Sequence, residues 1–359
     1  MDERGNTPLI RLSGVTKIFG PSPDRALALL EQGRSKAEVQ AETNHVIGLN
    51  QVDLSIEPNQ IYVVMGLSGS GKSTLIRHVN RLIEPTSGSI VVGGEDVLAM
   101  SDEQLRRFRR TKIAMVFQKF GLMPHMSVVN NVAYGLQIRG IPKPERLKEA
   151  ERWIETVGLK GYEQARPRQL SGGQQQRVGL ARALAMDTEI ILMDEAFSAL
   201  DPLIRSGMQD ELIALQKTLN KTILFITHDF DEALKIGNRV AILRDGSVVQ
   251  EGRPEEIVLD PANEHVEEFV RDVNKARAIH VRTIMERGVS EPCELAVSET
   301  ARCEDVLPLF ADHQWVGVTN DEGRQIGRVT ARQVIKALAR HSGPPVTEVK
   351  KLPELAGVE

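Results

Sequence analysis

Ile61-Tyr62-Val63-Val64-Met65-Gly66-Leu67-Ser68-Gly69-Ser70-Gly71-Lys72-Ser73 opens on five apolar residues, closes them with a glycine and runs into a helical pattern. The apolar run is short and rich in β-branched residues, so it predicts a strand buried on both faces. The eight residues from Gly66 to Ser73 fit GxxxxGK[ST] between strand and helix, the context in which a glycine-rich loop wraps a phosphate. Glycines let the backbone N–H groups of Gly66, Leu67, Ser68, Gly69, Ser70 and Gly71 converge on an anion, and the helix start that carries Ser73 and Thr74 adds partial positive charge. Lys72 is expected on the β- and γ-phosphate oxygens and Ser73 on Mg²⁺.

Outward from this loop, further buried-strand patterns fall at residues 113–117, 190–193 and 222–227, with helical patterns at 73–83 and 203–219. Strands alternating with helices predict βαβ units and a largely parallel core sheet. Residues 240–249 read as a hairpin about Arg244-Asp245-Gly246-Ser247, which suggests a smaller antiparallel element beside that sheet. Residues 21–48 read as an insertion with two short helices, the second announced by the capping box Ser35-x-x-Glu38.

Strand 190–193 ends in Asp194-Glu195. Strands of an open α/β sheet deliver their C-terminal ends to the ligand crevice, so Asp194 is expected at Mg²⁺ and Glu195 at the attacking water. In Leu170-Ser171-Gly172-Gly173-Gln174, a serine and two glycines open a helix and form a second anion-binding turn. Two copies packed head to tail would let each such turn close on the other's ATP. The same residues also read as an ordinary loop capped by Ser171.

The chain has 359 residues, which predicts about two domains. Its 45 basic and 49 acidic residues and 4% aromatics argue against a broad nucleic-acid surface. Cys293 and Cys303 lack CxxC partners and read as free thiols of a reducing compartment. Met1 to Asn6 lead into no apolar stretch, and no run reaches the roughly 18 apolar residues of a spanning helix. Any membrane role is therefore expected to come through a partner.

With these segments in order, residues 9–260 resemble the ATP-binding-cassette ATPases. Residues 170–174 are similar to that family's signature motif, residues 198–201 to its D-loop with Asp201, Gln118 to its Q-loop glutamine and His228 to its switch histidine. Phe19 resembles the aromatic that stacks on adenine. The resemblance implies a nucleotide-binding domain of the P-loop type, with an antiparallel β subdomain and a helical signature subdomain spanning about residues 100–185. It implies catalytic roles for Glu195, His228 and Lys72. The nucleotide would be held by Phe19, residues 66–74, Gln118 and His228, and the metal by Ser73, Gln118 and Asp194. The working form would be a homodimer, with Ser171, Gly172, Gly173, Gln174 and Asp201 serving the partner's ATP.

The wording of the insertion and of Met193-Asp194-Glu195-Ala196-Phe197-Ser198-Ala199-Leu200-Asp201-Pro202-Leu203-Ile204-Arg205 looks like the glycine betaine/proline betaine importer ATPases. That implies transmembrane permease subunits, an external solute-binding protein and a peripheral place on the cytoplasmic face of the membrane. An importer ATPase for an amino acid, choline or polyamine, or a non-transport cassette, are the alternative readings. Permease contact is expected across residues 118–136, with Phe120, Leu122 and Met126 as apolar contacts. A domain boundary is expected near 280, with residues 1–280 as the ATPase and 281–359 as a small α+β domain. Residues 297–340 follow a β-α-β-β-α order that resembles a single CBS unit, readable equally as a sensor or as a structural tail.

Overall fold

The computed structural model describes residues 7–118, 121–198, 200–288, 293 and 295–339. Phe120, Met1 to Asn6 and everything beyond Ala339, including Arg340, lie outside them. The chain divides into two compact units, Met1–Pro254 and Glu255–Glu359.

In the first unit the strands are β1 (Ile10–Phe19), β2 (Val46–Ile56), β3 (Ile61–Met65), β4 (Ser87–Val92), β5 (Glu95–Asp96), β6 (Ile113–Val116), β7 (Ile190–Asp194), β8 (Thr222–Thr227), β9 (Arg239–Arg244) and β10 (Ser247–Gly252). They form two sheets. One is antiparallel in the order β2-β1-β4-β5, and the other runs β10-β9-β3-β8-β7-β6. From β9 to β6 the second sheet is parallel, and β3, β7 and β8 are buried along their whole length. Their unbroken apolar runs follow from helices covering both faces.

The hairpin expected at 240–249 forms, but it is no separate antiparallel element. β9 pairs in parallel with β3, so the hairpin extends the main sheet and β10 becomes its antiparallel edge. The separate antiparallel sheet is built from β1, β2, β4 and β5 instead. Asp245 and Gly246 both take positive φ, 50° and 86°, as a two-residue hairpin turn requires. This turn reaches across the fold. The Gly246 N–H donates to Ser70 O at 2.9 Å, and the Gly246 carbonyl accepts from Asn50 N at 2.8 Å.

The helix after the phosphate loop is Lys72–Val79, four residues shorter at its end than the pattern predicted. Arg81 turns to φ 50°, and Leu82 N donates to the Asn80 side chain and the Arg77 carbonyl, which closes the helix early. The insertion forms helices Asp24–Glu31 and Lys36–Thr43, the second with both arms of the expected capping box. Val39 and Ala26 pack with Ile18 and Ile47, which fixes the pair to β1 and β2. Helices Val128–Ile138, Lys143–Thr156 and Gly172–Ala185 pack on one another as a helical subdomain.

In the second unit, β11 (Glu286–Arg287), β12 (Ala296–Ser298), β13 (Trp315–Thr319) and β14 (Gln325–Thr330) form a sheet in the order β11-β14-β13-β12. Val316, Val318, Val329, Cys303 and Val334 centre its core. The first helix of the expected β-α-β-β-α order is broken into an α-turn at Cys303–Val306 and a 3₁₀ turn at Leu307–Ala311. Pro308 lacks the N–H that would continue the α ladder. This unit begins 25 residues before the boundary expected near 280. The charged run 264–277 is helical in part, and Glu255, buried, takes hydrogen bonds from Arg282 (3.1 Å) and Thr283 (3.5 Å) of the same unit.

Candidate functional site

The phosphate loop leaves β3 at Gly66, where a Cβ would strike the Leu243 carbonyl oxygen of β9. Gly71 enters the helix at φ 106°, and a Cβ there would strike Gly48 O of β2. Only glycine allows backbone from both sheets to close on the loop.

Lys72, 4% exposed, donates from Nζ to Gly66 O at 2.8 Å and Leu67 O at 2.9 Å, so its ammonium lies within the curl of the loop. Burial pushes its pKa below the ordinary lysine value, while the carboxylates of Glu195 and Asp194 pull it back up. Ser73 Oγ donates to Asp194 Oδ1 at 2.8 Å, joining the helix start to the end of β7, and Arg77 Nη2 stands 3.4 Å from Asp194 Oδ2. A hydroxyl and a carboxylate converging without nitrogen or sulfur donors suit a hard cation. Mg²⁺ in particular keeps waters and phosphate oxygens as its remaining ligands.

Glu195 directly follows β7 at φ 46°, a conformation that costs a non-glycine residue roughly 1–2 kcal/mol. Its backbone is held by Glu195 N to Ile226 O (3.1 Å) and by Ser198 Oγ to Glu195 O (2.9 Å). The carboxylate Oε2 accepts from Gln118 Nε2 at 2.9 Å and lies 3.5 Å from His228 Nδ1. Gln118, Glu195 and His228 thus meet from the ends of three neighbouring strands, β6, β7 and β8. The amide nitrogen of Gln118 is taken up by Glu195, which leaves its carbonyl oxygen for the metal role expected of it.

These groups share a cleft of about 590 Å³ lined by Phe19, Leu67 to Gly69, Gly71 to Thr74, Gln118, Glu195 and His228. Gly66, Ser70 and Asp194 are buried and are not among its lining residues. Phe19, 39% exposed, ends β1 opposite Val46, with Lys17 Nζ 5.2 Å from its ring centroid. Four lining residues escaped sequence reasoning: Lys36, Val46, Ile47 and Gly48. The available signal was Gly48, a glycine inside a strand, which marks a close approach of another group. A Cβ on it would lie 2.7 Å from the Phe19 ring.

Ser171 to Gln174 and Asp201 do not line this cleft. Ser171 and Gln174 form a capping box at the head of helix Gly172–Ala185, and Asp201 caps Pro202–Leu219 by accepting from Ile204 N at 3.1 Å. The two helix heads are neighbours, since a Cβ on Gly173 would lie 2.9 Å from Ile204 Cγ2. Leu203 beside them is 82% exposed. A network unmarked by any motif links the Asp201 segment to His228. Arg205 donates from Nη2 to Leu200 O (3.2 Å) and from Nη1 to Asp229 Oδ2 (3.0 Å), and the other Asp229 oxygen caps helix Phe230–Ile236 through Glu232 N.

A separate apolar groove of about 380 Å³ is lined by residues including Phe117, Gly121, Met123, Tyr134 and Met186, with Arg109 and Arg182 at its polar edge. Of the stretch 118–136 expected to meet a permease it takes only Gly121, Met123, Tyr134 and Gly135, and Leu122 and Met126 are not among its lining residues. Among the described residues, no helix is long and apolar enough to cross a membrane.

Comparison with known proteins places these features in context. The family model described as ABC transporter matches residues 49–198. The glycine betaine transport ATP-binding protein OpuAA of Bacillus subtilis is 52% identical over 279 residues, 78% of this chain and 67% of that protein. The glycine betaine/proline betaine transport system ATP-binding protein ProV of Escherichia coli is 50% identical over 323 residues, 90% of this chain and 78% of that one. The trimethylamine N-oxide transport system ATP-binding protein TmoW of Ruegeria pomeroyi is 45% identical and covered over 96% of its length by 88% of this chain. Among solved structures, the dimeric post-hydrolysis state of the ATP-binding cassette MJ0796 bound to ADP and Pi superposes with a TM-score of 0.59 at 32% identity, over 68% of this chain and 98% of that one.

Proposed function

The chain belongs to the ABC transporter ATP-binding proteins, which hydrolyse ATP to drive transport, and from that premise we propose that it powers uptake of quaternary-ammonium osmoprotectants of the glycine betaine/proline betaine type. The observation that carries the solute class is the identity of about half of all aligned residues with glycine betaine transport proteins along most of the chain. The similarity to a trimethylamine N-oxide system supports a small methylated ammonium compound or amine oxide as the cargo.

In the mechanism we favour, the cleft holds ATP with its base on Phe19 and its phosphates in the loop from Gly66 to Ser73. Backbone N–H groups and Lys72 bind the β- and γ-phosphates, for which Lys72 gives up its bonds to the Gly66 and Leu67 carbonyls. Ser73 and Asp194 are the residues that would hold Mg²⁺, with the Gln118 carbonyl oxygen as a third donor. When bound, the ion would neutralise part of the phosphate charge. Glu195 orients the attacking water in line with the γ-phosphate, and His228 donates to the oxygens on which charge spreads.

A head-to-tail homodimer explains why Ser171 to Gln174 and Asp201 do not line the chain's own cleft. The exposed Leu203 and Ile204 beside them suit burial by a partner. The groove containing Phe117 and Tyr134 suits an apolar segment of the permease, which would hold the chain at the cytoplasmic face of the membrane. The β-α-β-β-α unit at 296–339 fits a single CBS-like module.

Transport-coupled ATPase activity tests the reading. The chain is assembled with its permease and solute-binding protein in lipid vesicles, and glycine betaine, proline betaine, choline, amino acids and polyamines are added in turn. Stimulation by a betaine is the expected result. Stimulation by an amino acid or polyamine alone would leave the ATPase mechanism standing and overturn the cargo.

A further inference from the structure

The insertion 21–48 has no part in the mechanism above, yet it builds one wall of the nucleotide cleft. Its two helices are clasped at the base by His45, whose ring nitrogens lie 2.8 Å from the Pro21 carbonyl and 2.9 Å from the Thr43 carbonyl. Gly20 packs directly on that ring, where a Cβ would come within 2.5 Å. Arg25 pairs with Glu42 across the two helices at 2.9 Å, and Val39 and Ala26 anchor them to Ile18 and Ile47. Whatever the second helix presents is therefore held in place relative to β1 and β2.

What it presents to the cleft is Lys36. This half-buried lysine is the first residue of helix Lys36–Thr43, directly after the capping serine. A cation at that end opposes the helix dipole and costs roughly 0.3–1 kcal/mol. Among the described residues no carboxylate pairs with it, whereas Arg34 and Arg25 on the same insertion both have partners. Helix stability therefore does not account for the lysine, and an anion arriving in the cleft does.

Position narrows the choice of anion. Lys36 shares the cleft wall with Val46, Ile47 and Gly48, and Val46 is the strand partner of Phe19. That associates it with the Phe19 side of the cleft, while Gly48 of the same lining borders both Phe19 and the loop residues Gly71 and Thr74. For a nucleoside triphosphate seated with its base on Phe19, the anionic group nearest that side is the α-phosphate. We propose that Lys36 is a nucleotide-binding residue contributed by the insertion, its ammonium pairing with the α-phosphate of ATP. The proposal rests on the cleft being the ATP site.

Equilibrium binding of ATP, ADP and adenosine to the full chain and to Lys36→Ala, Lys36→Arg and Lys72→Ala tests it. Lys36→Ala should raise the Kd for ATP and for ADP by the same factor of about five to ten, since both carry the α-phosphate. Adenosine binding should not change, Lys36→Arg should stay within about twofold of the original chain, and the Lys36→Ala deficit should shrink as salt rises. Normal ATP affinity in Lys36→Ala alongside lost affinity in Lys72→Ala overturns the role of Lys36 alone. An equal loss for adenosine also overturns it, by putting the lysine on the base or ribose. Unchanged binding in both variants overturns the cleft as the ATP site and the proposal with it.

Discussion

Arg205 and Asp229 are joined at 3.0 Å, and through that pair the segment leading to Asp201 is tied to the residue next to His228. The second arm of the guanidinium holds the Leu200 carbonyl at 3.2 Å, so one side chain braces two loops that flank Glu195. Arg205 is not among the residues lining the cleft, which makes it a positioning residue for the hydrolytic step. Arg205→Ala is expected to lower kcat about tenfold, the effect of about 1.4 kcal/mol, while KM for ATP stays within about twofold. Arg205→Lys, which keeps one of the two bonds, should recover part of the loss. Steady-state ATPase kinetics decide it, and an equal rise in KM would point to a nucleotide contact instead.

Glu195→Gln keeps the shape of the side chain and its place beside Gln118 and His228, but not its basicity. Turnover should fall by about 10²–10⁴-fold while ATP still binds. Size-exclusion chromatography with ATP should then show an accumulated dimer. A variant that remains monomeric and active would remove Glu195 from the hydrolytic step.

Gly66→Ala drives a methyl group against the Leu243 carbonyl oxygen, a backbone atom that cannot swing aside. Relief requires β3 or β9 to shift, and overpacking of this kind costs about 1–3 kcal/mol. A lowered thermal midpoint together with weakened ATP binding is expected. Gly33→Ala, whose glycine also has positive φ but nothing within 4 Å, serves as the control for conformational strain alone.

Glu255 supplies an acid-sensitive hold within the second unit. Burial pushes its carboxyl up, but His280, its own backbone N–H and Arg282 outweigh that and hold it at about 2, against an ordinary value of 4.5. A depressed folded-state pKa gives stability that is complete above about 4.5 and lost as pH falls toward about 2. The shift amounts to roughly 3 kcal/mol. Glu255→Gln should therefore lower the stability of this unit at neutral pH and flatten the acid limb of its unfolding curve. An unaltered limb in pH-dependent denaturation would show that another carboxylate carries it.

The phosphate loop, Asp194, Glu195 and His228 were legible because each lies at the end of a strand whose apolar run is itself a strong local signal. The hairpin at 239–252 was legible as an element but not as a member of the main sheet. Pairing of β9 with β3 joins residues almost 180 apart, and nothing local encodes it. Pro308 carried the information that the first helix of the β-α-β-β-α order would break, and the periodicity of its neighbours masked it. Lys36 and Arg205 lay beyond reading altogether. A lone lysine or arginine acquires its role only when folding sets a cleft or a second loop beside it.

The Asp245–Gly246 turn also makes the nucleotide floor observable from a distance. The Gly246 amide hydrogen is spent on the Ser70 carbonyl, so the turn and the phosphate loop must part before that hydrogen meets water. Its deuterium uptake is therefore a clock for spontaneous loosening of the phosphate loop, running on a residue that lies in neither the motif nor the cleft lining.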